Sequence, residues 1–277
     1  MTVCTVMGGG GYVGRNLVKH LARHGWDCRV PGRGDKTYLK DDLGVVFYCV
    51  GLTADFRTRP YETVEAHVGL LTDVLRNGRF SRLIYLSSTR VYLGAADTFE
   101  DQELCVQPGK GDDLYKLSKL MGESLALQSG HPCAVARLSN VVGGENGNPD
   151  SFVYSLLDDA RRGRIVLRSD PRSAKDYIHV SDVVQLLHQL ALGSRHKIYN
   201  LARGVQITHQ QWTELLASVV GCDWTVQEGA EFQPQLPIHV ERITREFQMP
   251  SCDVLQSCRE EFASRTASTA ASPDADS

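Results

Sequence analysis

Four consecutive glycines, Gly8 to Gly11, are followed by Tyr12, Val13 and Gly14. They separate a short apolar run rich in valine and threonine, Thr2 to Met7, from a segment of helical period. Glycines at 8, 11 and 14 keep a constant spacing. Such a turn needs residues without Cβ, so that backbone N–H groups at a helix N-terminus can approach a pyrophosphate. Its place between strand and helix carries the signal more than the glycine count does. Gly8, Gly11, Tyr12, Val13 and Gly14 are therefore candidate cofactor contacts, and the side chains of Tyr12 and Val13 are expected to pack beneath the loop.

The chain alternates strand and helix signals after this loop. Asn16 to His24 carries Leu17, Val18 and Leu21 at helical spacing and stops at Gly25. Residues 27–31 and Val45 to Val50 read as strands, Thr63 to Asn77 as a helix, and Leu83 to Leu86 as a strand. Leu114 to Gln128 reads as a helix and Cys133 to Leu138 as a strand. Alternation with apolar strands predicts a parallel sheet covered on both faces. The expected fold is α/β, a Rossmann-type doubly wound parallel sheet over residues 1–142, with returning segments around 176–204. A smaller substrate-binding lobe is expected over 143–262, from helices at Phe152 to Arg162 and His209 to Val220 and a strand at Ile165 to Leu167. Ile178 to Leu192 should start extended and become helical, and Ile198 to Leu201 should return as a strand. No large apolar residue follows Phe262, so 263–277 is expected to be a disordered tail.

Composition narrows the function classes. The chain has 277 residues, with 42% hydrophobic and 23% charged, as in an ordinary globular protein. Its net charge of −3 leaves no basic excess for nucleic acid. The apolar stretch Val45 to Leu52 is too short to span a bilayer, and the first residues do not read as a signal peptide. Eight cysteines are scattered without a C-x-x-C pair, which fits a reducing compartment. No histidine was found at ligand spacing, so no metal site is expected. The expectation is a cytoplasmic protein.

The end of the second strand discriminates between cofactors. An acidic residue there would accept hydrogen bonds from the adenosine ribose of NAD. This chain has Gly32 and then Arg33. A guanidinium favours a 2′-phosphate, so NADP is preferred and NAD is the alternative.

Tyr115 and Lys119 stand four residues apart on one helix face. A nearby ammonium favours phenolate, which suits Tyr115 to acid–base work at a hydroxyl or carbonyl. Upstream, Leu83 to Tyr92 ends a strand in the hydroxyl run Ser87-Ser88-Thr89. With the glycine loop, these residues resemble the extended short-chain dehydrogenase/reductase superfamily, in its NAD-dependent epimerase/dehydratase branch. The resemblance covers roughly residues 2–205 and includes Arg137 to Gly143 and Lys175 to Val183.

The resemblance implies Ser88, Tyr115 and Lys119 as catalytic residues. Ser88 would hold the substrate oxygen, Tyr115 would exchange the proton, and Lys119 would bond the nicotinamide ribose. It implies cofactor contacts at Gly51, Leu52 and Ser139, and substrate contacts at Thr53, Thr89 and Asn140. Lys175, where relatives often carry an arginine, or Arg172 would meet substrate phosphate. His179 and Asp182 are read as structural. The substrate implied is a nucleotide-linked sugar, and helices near 63–77 and 114–128 imply a homodimer.

Two departures follow. Few residues separate Arg33 from Val45, so the sheet is expected to be one strand shorter than usual. Asp41 and Asp42 are poor substitutes for the missing adenine ligand. Thr89-Arg90 also stands where sugar 4,6-dehydratases carry Asp-Glu, which argues against water elimination. The leading expectation is a keto-sugar reductase using NADPH and Tyr115. The alternatives are an epimerase that retains its cofactor, a dehydrogenase of a steroid-like or other small alcohol, and a non-catalytic dinucleotide sensor.

Overall fold

The computed structural model describes residues 1–52, 55–145 and 147–270. Numbered along the chain, β1 (Val3–Met7), β2 (Asp27–Arg29), β3 (Val45–Tyr48), β4 (Arg82–Ser88), β5 (Cys133–Leu138) and β9 (Ile198–Leu201) form one parallel sheet. Their spatial order is β2-β1-β3-β4-β5-β9.

The apolar strands follow from burial on both faces. Side chains alternate along a strand, so Val45 and Phe47 face one core while Val46 and Tyr48 face the other. Ile84 and Leu86 split from Leu83 and Tyr85 in the same way. Helices α1 (Tyr12–Arg23) and α6 (Val180–Leu192) cover the first face with Leu17, Leu21, Leu186, Leu187 and Leu190. The second face is closed by α2 (Pro60–Val64), a π-helical turn (Glu65–Gly69), α3 (Leu70–Asn77) and α4 (Asp113–Gln128).

A third core is built from the C-terminal half of the chain. Helices α5 (Phe152–Arg161), α7 (His209–Val220) and α9 (Val254–Ala270) bury Leu156, Leu157, Trp212, Leu216 and Phe262. The parallel pair β7 (Arg164–Leu167) and β11 (Asp223–Val226) contributes Ile165 and Leu167. A three-stranded sheet, β10 (Gln206–Thr208), β8 (Ala174–His179) and β6 (Asn140–Val142), carries the chain between the cores. Helix α8 (Glu241–Glu246) returns to the first core through Ile243.

The six-stranded sheet has the expected short side. Among the described residues, β2 is its edge, and residues 30–44 hold only a 3-10 turn, Thr37–Lys40. Strand β2 itself is three residues rather than the expected five. The tail expectation needs correction, because α9 runs through 263–270. Thr266 bonds back to the Phe262 carbonyl at 2.9 Å. The Arg265 guanidinium lies 5.8 Å from the Tyr154 ring and 5.9 Å from that of Phe262, so its stem covers apolar surface that composition did not reveal. Residues 271–277 lie outside the described residues. No described helix is long and apolar enough to cross a membrane.

Candidate active site

The glycine loop follows the carboxyl end of β1 and lies against Cys49 and Val50, just past β3. Gly8 adopts φ +74°, and a Cβ on Gly14 would lie 2.3 Å from the Gly8 carbonyl oxygen. Only glycine allows helix α1 to start this close to the turn. Gly11 caps α1 without a side chain, and nothing lies within 4 Å of a Cβ position on Gly10. The helix N-terminus is thus left open for a negatively charged group, and the cradle fits a pyrophosphate. The Tyr12 hydroxyl donates to the Gly143 carbonyl at 2.7 Å and Val13 packs on the first core, so both side chains serve the scaffold.

Val30, just past β2, abuts Gly9, which brings the following turn beside the loop. Arg33 is exposed in that turn and makes no hydrogen bond or ion pair among the described residues. The nearby Asp35 carboxylate is engaged by the Thr37 N–H at 2.8 Å and hydroxyl at 2.7 Å. Asp42 sits at the opposite, amino end of the strands, bridged to Arg79.

Strand β4 carries Ser88, and helix α4 carries Tyr115 and Lys119. Lys119 Nζ donates to the Leu86 carbonyl at 2.9 Å. Burial lowers its pKa to about 8, against the opposing pull of Glu123. Tyr115, one turn earlier, is 3% exposed. Its ring meets Phe56 at 5.3 Å and, edge-on, His67 at 5.4 Å. Ser88 ends β4, and its hydroxyl accepts the Arg90 N–H at 3.2 Å. Arg90 then reaches back, its guanidinium 5.5 Å from the Tyr115 ring and 5.0 Å from that of Phe56. Gly51 closes the far side: a Cβ there would lie 3.1 Å from His67 Nε2 and 3.3 Å from Lys119 Nζ. Leu52 follows it in the same loop. Thr53 lies outside the described residues.

Three participants were not legible in the sequence. Arg90 is half-buried with no carboxylate partner among the described residues, and burial lowers its pKa. His67 is fully buried, and its Nδ1 lies 2.8 Å from the Ser118 hydroxyl. That hydroxyl donates to the Tyr115 carbonyl at 3.0 Å, so Nδ1 carries the proton and Nε2 is a buried acceptor without a partner among the described residues. Burial and the Lys119 charge push the His67 pKa down to about 2. Glu123 pairs with Arg137 at 2.7 Å and accepts the Ser87 hydroxyl, bracing the strand end from behind.

The expected substrate residues separate. Thr89 opens the 3-10 turn after Ser88. Lys175, on β8, is half-buried with its Nζ 5.7 Å from the Phe152 ring, and its pKa falls through burial and the charge of Arg90. Arg172 is instead engaged by Asp170, at 2.7 Å and 3.0 Å, in an exposed turn. Asn140 donates to the Asp176 carbonyl at 2.9 Å and ties β6 to β8. Ser139 is buried just beyond β5. His179 caps α6 and approaches Glu261 of α9 at 3.1 Å, while Asp182 pairs with Arg203 at 3.5 Å; both serve the scaffold.

Over 205 residues the chain is 25% identical to the dTDP-4-dehydro-6-deoxy-D-allose reductase of Streptomyces bikiniensis. That match covers 68% of this chain and 63% of the reductase, less than two thirds of the relative's length. The structure of RMD from Pseudomonas aeruginosa complexed with NADPH superposes with a TM-score of 0.76 at 21% identity, over 95% of this chain and 99% of that one. The UDP-glucuronic acid 4-epimerase of Bacillus cereus, in complex with UDP-4-deoxy-4-fluoro-glucuronic acid and NAD, gives 0.80 at 14%, over 96% and 99%. At such identities the structural likeness speaks for the fold. Residues 4–202 match the NAD dependent epimerase/dehydratase family, and the chain belongs to that family.

Proposed function

We propose that the protein reduces a keto group on a nucleotide-linked sugar, with NADPH as cofactor and Tyr115 as proton donor. The observation that carries this reading is the joint between β4 and α4. Lys119 is anchored on Leu86, and Arg90, from the turn of Ser88, is stacked against Tyr115. The 25% identical reductase and the NADPH-bound neighbour support the same reading.

Gly8, Gly11 and Gly14, with the backbone of Tyr12 and Val13, would hold the pyrophosphate, and Gly51, Leu52 and Ser139 would flank the nicotinamide half. A dinucleotide held there would supply hydride chemistry for the carbonyl carbon. Ser88 donates a hydrogen bond to the carbonyl oxygen and holds it within reach of Tyr115. The Tyr115 hydroxyl gives that oxygen its proton, and the resulting phenolate is stabilised by the Lys119 ammonium. Solvent then returns the proton to Tyr115. Arg90 and Lys175 present two cations to the substrate, which fits a diphosphate and opposes a neutral steroid-like alcohol. An arginine at 90 also supplies neither the acid nor the base that elimination of water requires.

Arg33, beside the glycine loop and without an acidic neighbour free to bind a ribose diol, supports NADPH. The sheet edge at β2 leaves the adenosine side uncovered, which favours a cofactor exchanged at each turnover over one retained by an epimerase. For the dimer, Val64 (39% exposed) and Met121 (51%) offer apolar surface on α2 and α4. Val64→Glu/Met121→Glu should shift sedimentation to the monomer, and a wild type already monomeric would refute the dimer.

The test is NADPH oxidation with nucleotide 4-keto-hexoses, beside a count of dinucleotide carried through purification. Turnover of NADPH with cofactor-free purified protein is expected. Stoichiometric tightly held NAD with interconversion of epimers, or inactivity across a broad ketone panel, would overturn the reading.

A further inference from the structure

Helices α1 and α6, which cover one face of the parallel sheet, bring together three histidines remote from the Tyr115 site. His20 and His24 stand one turn apart on α1, and His188 comes from α6, 168 residues beyond His20. His20 Nε2 and His188 Nδ1 are 3.2 Å apart. One ligand nitrogen from each of the three histidines lies within 4.8 Å of the others. We propose that His20, His24 and His188 form a binding site for a divalent transition metal, with zinc as its best-suited occupant.

Three features of the geometry carry the proposal. Tetrahedral zinc with nitrogen ligands at about 2.0–2.1 Å sets those nitrogens roughly 3.3 Å from each other, close to the His20–His188 separation. His24 Nδ1 lies 2.8 Å from the His20 carbonyl oxygen, which only an N–H can satisfy. That bond fixes the tautomer and leaves His24 Nε2 as the lone pair, in the manner in which metal-bound histidines are oriented by an outer hydrogen bond. His24 is exposed and His20 and His188 are half-buried, so the third ligand can swing inward and a fourth position stays open to water.

Arg23 is the facing cation on α1, while Lys19 is engaged by Glu145. Trp26 packs edge-on to His188 at 5.2 Å and holds that ring from behind. Sequence reading missed the site although His20 and His24 have ligand spacing, because the third ligand arrives only through the packing of α6 on α1. A metal there would staple α6 to the helix whose N-terminus forms the glycine cradle.

The test uses the full chain stripped of metal by a chelator. Zinc is titrated in competition with a chromophoric chelator, cobalt(II) reports ligand type by its visible spectrum, and thermal melting is followed with and without zinc. The expected result is saturable binding of one equivalent, a cobalt spectrum without thiolate charge-transfer bands, and a higher Tm with zinc. His24→Ala, a change on an exposed helix face, should weaken binding at least about tenfold while leaving the metal-free Tm nearly unchanged. His188→Ala should weaken it at least as much. Absence of saturable binding would overturn the site. So would undiminished binding by the His24→Ala variant, which would place the metal on the cysteines or elsewhere.

Discussion

Lys119 donates its Nζ to the Leu86 carbonyl at 2.9 Å, locking helix α4 onto strand β4 two residues before Ser88. Its pKa, lowered by burial to about 8, keeps an ammonium on the helical turn after Tyr115 at neutral pH. Tyr115→Phe should therefore lower kcat by about a hundredfold or more while NADPH affinity, measured by fluorescence, stays within a few-fold. Lys119→Met should lose kcat similarly and also weaken NADPH. Undiminished turnover in Tyr115→Phe would remove this residue from the chemistry.

Arg90 has no acidic partner among the described residues, and its guanidinium lies over the rings of Tyr115 and Phe56. A buried cation without an anion gains most when the substrate brings one. Arg90→Met should raise KM for a nucleotide sugar about tenfold or more with a smaller change in kcat. Arg90→Lys should recover little, because an ammonium has neither the planar stack nor the fork. If Arg90→Met leaves KM unchanged, this side chain does not touch the substrate.

The contrast between Arg90 and Arg172 shows what was readable from sequence. The strands of the six-stranded sheet, the glycine turn and the helix bearing Tyr115 and Lys119 were legible because period and spacing encode them locally, whereas β6, β10 and β11 are too short to show a period. Strand β3 could be placed because burial on both faces forces an unbroken apolar run. Whether an arginine points into a cleft or folds onto its own turn depends on the local turn it sits in and on the rings packed around it, and no periodicity encodes that. Arg172 is neutralised by Asp170, whereas Arg90 is aimed at Tyr115 by the Ser88 turn. His67 was invisible for the same reason: a histidine inside a helix announces nothing until α4 places Ser118 against it.

His67 makes a prediction about acid stability. Its folded pKa is about 2, against 6.5 for a free imidazole. Between these values the unfolded chain binds a proton that the native chain refuses, so stability rises with pH through this window and is lost as pH falls below about 6.5. Other buried histidines, such as His209 with a pKa of about 4, act in the same direction. Comparison with His67→Asn isolates this residue, since an amide can keep the Ser118 bond without titrating. The variant should gain on the wild type by up to about 1.4 kcal/mol per pH unit below 6 in urea unfolding. A constant difference across pH would show that His67 is already protonated in the native state.

Arg33 tests the cofactor preference separately from the chemistry. It is exposed, so its removal should not disturb the fold. Arg33→Ser should reduce the ratio of kcat/KM for NADPH over NADH by roughly ten- to a hundredfold, the worth of one or two charge-assisted hydrogen bonds. Most of the change should appear in the KM for NADPH. An unaltered ratio would leave Arg33 as a solvated loop residue.

The Glu123–Arg137 pair, at 2.7 Å and almost wholly buried, supports the same strand end from inside the protein. Glu123 also accepts the Ser87 hydroxyl, and Arg137 donates to the Tyr92 hydroxyl at 2.8 Å, so one ion pair holds both β4 and the turn after Ser88. Removing one partner leaves a charge in the interior, whereas removing both removes the cost of desolvating them. Glu123→Gln should thus lose about 3–5 kcal/mol of stability in urea unfolding. Glu123→Leu/Arg137→Met should lose clearly less than the single change, while activity still falls because Ser87 has lost its acceptor and Tyr92 one of its two partners. A double variant as unstable as the sum of the single changes would mean that the two charges do not act as a pair.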